Sequence, residues 1–276
     1  MSPQELTEAN MDGAVAKVGG STWRLLLLGV AAGLFIGIGA VASSTAAHAM
    51  GDAGLARLVS GLVFPIGLCM VVLLGAELFT GNSLMVTAAL SGKITWRGLL
   101  RNWTLVFVGN FIGAVSLAAL MAYFGQLSIG GGALAVYTTK VAVAKASLPW
   151  ANAFVLGIFC NILVCAAVYM GLSAKDIAGK VLALFLPIIA FVTAGFEHCV
   201  ANMYYIPAGI FANLNSVYSE LIAGAGIGTA ALNWGAFLWN NLLPVTLGNI
   251  VGGAIMGLIM YYGHVYGKRS TKRRKQ

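Results

Sequence analysis

The sequence predicts an all-α membrane protein with six transmembrane helices, built as a 3+3 inverted repeat whose second and fifth helices are broken. Three observations predict this fold: an apolar composition, six long apolar runs and an internal repeat. Of the 276 residues, 59% are hydrophobic and 9% are charged, whereas a soluble domain has about 25% charged residues. The chain therefore belongs in lipid rather than in water.

Each of the six apolar runs is long enough to cross a hydrocarbon core of about 30 Å. They lie at about residues 23–50, 56–90, 98–124, 149–172, 178–213 and 235–266. The first run could also be a signal peptide cleaved near residues 47–49, but its long acidic leader and its place in the repeat favour a membrane helix. The chain then consists of an N-terminal segment, a six-span domain and a basic tail, over residues 1–22, 23–266 and 267–276.

Basic residues predict the orientation of the chain. Six of the 16 Lys and Arg residues lie within the tail, and such a segment is typical of the cytoplasmic face of a membrane protein. With the tail inside, 13 basic residues lie on the cytoplasmic side and three on the other, which are Arg57, Lys140 and Lys145. Both termini are therefore predicted to be cytoplasmic, and the net charge of +8 needs no nucleic-acid partner.

The internal repeat has two independent parts. A Gly-x-Glu motif with an Asn five residues after the Glu occurs at residues 75–82 and again at 195–202. An Asn followed by Gly-Asn-x-x-Gly occurs at residues 102–113 and again at 241–252. Each half contains three spans, so the second half enters the membrane from the opposite side and the repeat is inverted. The two repeats cover about residues 23–124 and 149–266.

The second and fifth runs are too long to be straight helices. Residues 56–90 would form a helix of about 53 Å, against a core of about 30 Å. The segment Thr80–Ser83 contains Gly and small polar residues and is predicted to break the helix. Residues 178–213 have the same excess length, and the equivalent break is predicted between His198 and Asn202.

Matched polar side chains occur inside these two runs, where ionisable groups are costly and face a cavity or one another. Glu77 and Glu197 occupy equivalent positions of the repeat, and so do Asn82 and Asn202. The match favours a shared structural role. We expect the glutamates to accept hydrogen bonds from backbone N–H groups that the breaks leave free.

His198 has no counterpart, because the matching position of the first half is Leu78. A lone histidine in an apolar setting is often a buried core residue, but a place beside a predicted break favours contact with a solute. Imidazole donates hydrogen bonds to anions and gains or loses a proton near neutral pH. Thr80, at the other predicted break, offers a second donor.

Lys145 precedes the fourth run, on the side with few other charges. It is either an interfacial lysine whose stem lies along apolar surface or a charge that attracts anions to a pore mouth. On spacing alone, Phe64, Leu68 and Phe191 are ordinary packing residues.

An enzyme is disfavoured, and no metal or cofactor is predicted. His48, His198 and His264 are far apart in sequence, and no Ser/His/Asp arrangement appears. The four cysteines lie in apolar stretches without metal-ligand spacing. A purely structural or sensory membrane protein would leave the paired breaks and the unmatched histidine unexplained.

The same residues lie in stretches that resemble the formate/nitrite transporter family. The resemblance extends from about residue 24 to residue 264. Its motifs are ELFTGN at 77–82, KITW at 93–96, NW at 102–103, GN at 109–110, GIFCNILVC at 157–165, GFEHCVANM at 195–203 and NLLPVTLGN at 241–249.

The resemblance implies an aquaporin-like protomer with its own substrate pore, assembled as a homopentamer in the cytoplasmic membrane of a bacterium or archaeon. It implies that Phe64, Leu68 and Phe191 narrow the pore, with Leu78 and Phe79 at a second slit.

The family resemblance also implies roles for four polar residues. The resemblance implies that Thr80 lies in the loop between two half-helices, that His198 is the central polar residue, and that Asn161 lines the path near it. Lys145 matches a vestibule lysine of the family.

The function implied is a channel or transporter for small monovalent anions, with formate as first choice and hydrosulfide and nitrite as alternatives. A carboxylate is ionised at neutral pH, and a bare anion in an apolar ring loses solvation worth many kcal/mol. We expect Lys145 to attract the anion, and Thr80 and His198 to replace its water. A proton supplied through His198 would let the neutral acid pass.

Overall fold

The computed structural model describes residues 1–266, and this part of the chain contains α-helices and no strand. The predicted basic tail, residues 267–276, lies outside the described residues. The helices are α1 (Pro3–Val18), α2 (Thr22–Ala47), α3 (Ala53–Val63), α4 (Ile66–Leu73), α5 (Phe79–Asn82), α6 (Val86–Leu90), α7 (Trp96–Tyr123), α8 (Ala133–Ala146), α9 (Trp150–Ser173), α10 (Ile177–Ala194), α11 (Cys199–Leu214), α12 (Ser216–Gly224) and α13 (Leu243–Tyr261). A π-helix, Ala236–Leu242, leads into α13.

Six helical segments of the described chain are long and apolar enough to cross a membrane, which confirms the predicted number of spans. They are Thr22–Ala47, Ala53–Leu73, Trp96–Tyr123, Trp150–Ser173, Ile177–Ala194 and Ala236–Tyr266.

The two halves use the same packing, as an inverted repeat requires. In the first half α2 packs along α7, and in the second half α9 packs along α13. Glycines allow these close approaches. A Cβ atom on Gly33 would lie 2.9 Å from Cα of Asn110, and one on Gly252 would lie 3.1 Å from Cα of Ile158. Both helix pairs therefore depend on a missing side chain at the contact.

Both predicted helix breaks exist, but their predicted positions were wrong by several residues. The helices stop at Leu73 and at Ala194, and Gly75 and Gly195 adopt positive φ angles of 70° and 75°. Most of the polar residues that we expected to break the chain are helical instead: residues 80–82 lie in α5, with a 3-10 turn from Ser83, and α11 begins directly after His198. Glycine adopts a positive φ without the steric cost of a Cβ, so the turn forms at the glycine and the polar residues follow it.

Helix α1 covers one face of the six-span domain, packing against α6, α7, α9 and α13. Its start is well defined, because Ser2 Oγ accepts the Glu5 N–H and the Glu5 carboxylate accepts the Ser2 N–H, with Pro3 as the first helical residue. The hydrogen bonds from Ser2 hold the pKa of the Glu5 carboxyl below its ordinary value. The N-terminal segment is thus an ordered helix that ends in Lys17 and Val18.

Helix α8 packs against α11 and α12. It precedes the second repeat as α1 precedes the first. Each of the two helices contributes residues to the lining of one cavity.

Candidate functional site

Two cavities enter the domain, one beside α1 and one beside α8. The α1-side cavity has a volume of about 290 Å³ and the α8-side cavity about 330 Å³. Residues lining the α1-side cavity include Lys17, Leu68, Glu77, Leu78 and Asn82. Residues lining the α8-side cavity include Arg57, Phe64, Lys145, Phe191, Glu197 and His198. The two cavities share no lining residue.

A hydrogen bond joins the two helix breaks in the interior of the domain. Thr80 Oγ1 lies 2.9 Å from His198 Nε2, and the two residues are 0% and 3% exposed. Thr80 belongs to α5 of the first half, and His198 is the N-cap residue of α11 in the second. The structure therefore brings together the two polar residues that the sequence singled out at separate breaks.

The hydrogen bonds of His198 define which ring nitrogen carries the proton. Its Nδ1 accepts the backbone N–H of Ala201 at 3.0 Å, so this nitrogen has no proton. In the neutral ring the proton is then on Nε2, which donates to Thr80 Oγ1. The Thr80 hydroxyl keeps its own proton free to donate. The pair thus has one hydroxyl donor available to a solute.

The backbone N–H groups at the breaks bind two asparagines rather than the glutamates that we expected. Asn110 Oδ1 accepts the Phe79 N–H at 2.9 Å, while its Nδ2 donates to the carbonyls of Gly29 and Glu77 at 2.8 and 2.9 Å. An amide carries both a donor and an acceptor, so one side chain satisfies backbone groups of both kinds. A carboxylate only accepts.

The second half repeats this arrangement. Asn249 Oδ1 accepts the Cys199 N–H at 2.9 Å, and its Nδ2 donates to the carbonyls of Gly157 and Glu197 at 2.8 and 3.0 Å. Both asparagines are fully buried. Each break is therefore held by one amide from the third span of its own half.

Glu77 belongs to a charged cluster at the α1-side cavity. Lys17 Nζ lies 2.9 Å from Glu77 Oε2 and 2.6 Å from Asn82 Oδ1. Asn82 Nδ2 donates to Glu77 Oε2 and to Asn102 Oδ1, at 2.7 and 2.9 Å. The N-terminal helix α1 thus contributes a cation to a carboxylate of the first break.

Glu197 belongs to the equivalent cluster at the α8-side cavity. Lys145 Nζ lies 2.8 Å from Glu197 Oε1. Asn202 Nδ2 donates to Glu197 Oε2 and to Asn241 Oδ1, at 2.6 and 2.7 Å. Lys145 also lies 5.4 Å from the centre of the Tyr205 ring. It is therefore a cavity-lining residue whose charge Glu197 balances, rather than a lone lysine at the lipid interface.

Asn161 is expected to line the path near His198, and this stays a prediction. It is fully buried, outside the lining of both cavities. Its Nδ2 lies 3.1 Å from the Thr80 carbonyl, 2.8 Å from Ser83 Oγ and 2.5 Å from the Asn249 carbonyl. These contacts fit a residue that positions the Thr80 segment.

The five expected constriction residues occupy three places. Phe64 and Phe191 line the α8-side cavity, with ring centres 5.8 Å apart, whereas Leu68 and Leu78 line the α1-side cavity. Phe79 contacts Trp103 and Phe107 in a lateral groove, with ring centres 6.0 and 5.0 Å away. Apolar residues thus line both cavities, and the expected slit at Leu78 and Phe79 stays a prediction.

Sequence reasoning missed the roles of Lys17, Asn110 and Asn249. Both asparagines belong to the repeated Gly-Asn-x-x-Gly motif, so the repeat contained a signal for them. Lys17 precedes the first apolar run. Its only signal was its position in the leader, before the first repeat, as Lys145 lies before the second.

Comparisons with known proteins agree with this description. A family model described as "Formate/nitrite transporter" matches residues 4–263. The chain is 40% identical over 267 residues to the formate channel FocA of Haemophilus influenzae, covering 95% of this chain and 94% of the relative. It is 34% identical over 258 residues to the formate channel BtFdhC of Bacillus thuringiensis, covering 91% of each.

Solved structures with the same fold also exist. A "Pentameric formate channel with formate bound" is 38% identical and matches with a TM-score of 0.79, over 89% of this chain and 97% of that one. An "FNT family ion channel" is 27% identical and matches with a TM-score of 0.82, over 94% of this chain and 98% of that one.

Proposed function

The chain belongs to the formate/nitrite transporter family, and on this basis we propose that it is a channel that carries formate across a membrane. The single observation that supports this best is the buried Thr80–His198 pair between two cavities. The family is one of transporters, so the alternative of a membrane enzyme is set aside.

The anion meets apolar rings before it reaches polar donors. From the α8-side cavity it passes Phe64 and Phe191, which offer no hydrogen bonds to replace its water. An unpaired charge in such a place costs many kcal/mol. His198 lies beside Phe191 in the same cavity, and Thr80, which is hydrogen-bonded to it, offers the hydroxyl donor that compensates part of this loss. Leu68 and Leu78 form the corresponding apolar section of the α1-side cavity.

Neutralising the anion removes the rest of the cost, and His198 is the group that would supply the proton. A charged ring needs a proton on Nδ1, which then no longer accepts the Ala201 N–H. The charged form thus loses a buried hydrogen bond, which disfavours charging of the resting ring. The proton that a carboxylate beside Thr80 can take is the one on Nε2. The ring left behind is neutral with its proton on Nδ1, and it accepts the Ala201 N–H again only once its proton is back on Nε2. Formic acid then crosses the apolar rings without charge.

We also propose the assembly and orientation of the channel. The similar formate channel of solved structure is pentameric, which supports a homopentamer with a pore in each protomer. The 13 to 3 distribution of basic residues supports a cytoplasmic α1 face and an outward α8 face, in a bacterial or archaeal cytoplasmic membrane.

Hydrosulfide and nitrite are the alternative substrates within the same family. Both are small monovalent anions of weak acids, and both would meet the same apolar rings and donors. We propose formate as the substrate because the relatives described above are formate channels.

The test is anion flux in proteoliposomes across about pH 5 to 8, the range in which histidine titrates. Formate, nitrite and hydrosulfide are compared for the wild type, His198→Asn and His48→Asn. Asparagine is a good N-cap residue, so His198→Asn keeps a partner for the Ala201 N–H and removes the titratable ring. His48 lies at the end of α2, outside the lining of both cavities, and serves as the matched control.

We expect saturable formate flux in the wild type and in His48→Asn. In His198→Asn, which also loses the hydrogen bond to Thr80, we expect residual flux that no longer changes with pH. Unaltered pH-dependent flux in His198→Asn would show that His198 does not supply the proton, but the proposal of a formate channel would stand. Absence of formate flux in the wild type would remove the proposed substrate.

A further inference from the structure

The two cavities differ in one cation. The α1-side cavity is lined by one cation, Lys17. The α8-side cavity is lined by two, Lys145 and Arg57 of α3. Lys17 is paired with Glu77, and Lys145 with Glu197. Within the described residues, Arg57 takes part in none of the three ion pairs and donates no hydrogen bond to a protein group. The unbalanced positive charge of the α8-side cavity is therefore that of Arg57.

The guanidinium of Arg57 lies against the second helix break. A Cβ atom on Gly195 would be 2.9 Å from Arg57 Nη1 and 3.6 Å from Cζ. The group thus occupies the space that any other residue at position 195 would fill, three residues before His198. At the first break, Gly75 has the same positive φ, but no atom lies within 4 Å of the position of its missing Cβ. The repeat therefore does not account for the contact.

From this placement we propose that Arg57 captures the carboxylate of formate at the α8-side mouth and makes that mouth selective for anions with two oxygen atoms. The proposal rests on the proposed function. A guanidinium presents parallel N–H donors that match the two oxygens of a carboxylate, and a lysine offers only a point charge. Hydrosulfide has a single acceptor atom, so it gains the charge attraction but not the paired hydrogen bonds.

Lys145 does not supply this function by itself. Its ammonium is 2.8 Å from Glu197 Oε1, and its side chain is 18% exposed. The pair has no net charge, so its long-range attraction for an anion is small. Arg57 is more exposed and reaches the anion first. The anion would then move inward past Phe64 to Thr80 and His198.

The test measures initial rates of formate and hydrosulfide uptake by proteoliposomes over a range of concentrations. The variants are Arg57→Gln, Arg57→Lys and Lys140→Gln. Lys140 is an exposed basic residue on α8 outside the lining of the cavity, so its replacement makes the same change in net charge. Arg57 is exposed as well, so neither change disturbs the core.

We expect Arg57→Gln to raise the half-saturating concentration of formate about fivefold, the size expected for loss of an exposed charged contact, with the maximal rate retained. Arg57→Lys should take up hydrosulfide at the wild-type rate but formate at an impaired rate, because lysine keeps the positive charge and lacks the paired N–H donors of the guanidinium. Lys140→Gln should change neither anion by more than about twofold.

Two outcomes would overturn the proposal. If Arg57→Gln behaves as Lys140→Gln does, Arg57 has no part in capture. If Arg57→Lys has wild-type kinetics with both anions, charge alone suffices and the paired hydrogen bonds are not used. In either case wild-type formate flux would still stand, so the proposed function would survive. Loss of wild-type formate flux would remove the proposed function and this inference together.

Discussion

Replacing the asparagine that hydrogen-bonds to each helix break is the sharpest test of how the fold is stabilised. Replacing Asn110 by Leu keeps a side chain of similar size and removes three buried hydrogen bonds, to the Phe79 N–H and to the carbonyls of Gly29 and Glu77. A hydrogen bond in a protein interior contributes about 1 kcal/mol net, and about 0.6 kcal/mol on average between membrane helices. The expected loss in the free energy of unfolding is therefore about 2 to 3 kcal/mol.

The assay is unfolding of the purified protein in mixed micelles by increasing the fraction of denaturing detergent. Asn249→Leu should lose a similar free energy, because its side chain makes the same three kinds of hydrogen bond in the second half. Thr139→Val is the control, since Thr139 is fully buried and its hydroxyl has no hydrogen-bond partner within the described residues. Removing that hydroxyl should cost nothing.

The reasoning fails if Asn110→Leu is no less stable than Thr139→Val, because the breaks would then need no amide. A large loss in one half and none in the other would refute the equivalence of Asn110 and Asn249.

Two further predictions concern the helix contacts. Gly33→Ala should lower the free energy of unfolding by about 1 to 3 kcal/mol, because the new Cβ would clash with the carbonyl oxygen of Asn110. Gly13→Ala in α1 places its Cβ in open space and should be tolerated in the same titration. Arg101→Gln should speed hydrogen exchange in α1 about tenfold, because the Arg101 guanidinium donates to the linker between α1 and α2. Arg97→Gln is the control, since Arg97 donates no hydrogen bond within the described residues; equal exchange in the two variants would exclude the tether.

The span count and the repeat could be predicted from the sequence, because each depends on local composition or on spacing within one segment. The exact positions of the breaks could not. Thr80–Ser83 and the segment after His198 contain residues that suit turns, yet they also suit the first turn of a helix. Gly75 and Gly195 precede them and adopt the positive φ, so the chain turns earlier and the polar residues fold into the next helix.

The partners of the glutamates could not be predicted because they are distant in sequence. Glu77 is paired with a lysine 60 residues away and Glu197 with one 52 residues away. Both lysines lie on helices outside the apolar runs, and no local pattern connects them with a carboxylate in the membrane. The matched positions correctly indicated one shared role for the two glutamates, but the role is to pair with a lysine and an asparagine.

One of the differences between the breaks, Leu78 in the first half and His198 in the second, accounts for both a structural and a chemical difference between the halves. Leu78 makes no side-chain cap, and α5 has only four residues before the chain passes into a 3-10 turn. His198 accepts the Ala201 N–H, and α11 continues for 16 residues. Because a cap stabilises a helix start, the histidine favours the longer helix. The same hydrogen bond puts the proton of the neutral ring on Nε2, where it faces Thr80 of the other half. The donor pair at the centre of the protein therefore depends on a position at which the repeat is not obeyed, and a histidine that merely filled space there would have neither a fixed tautomer nor a partner.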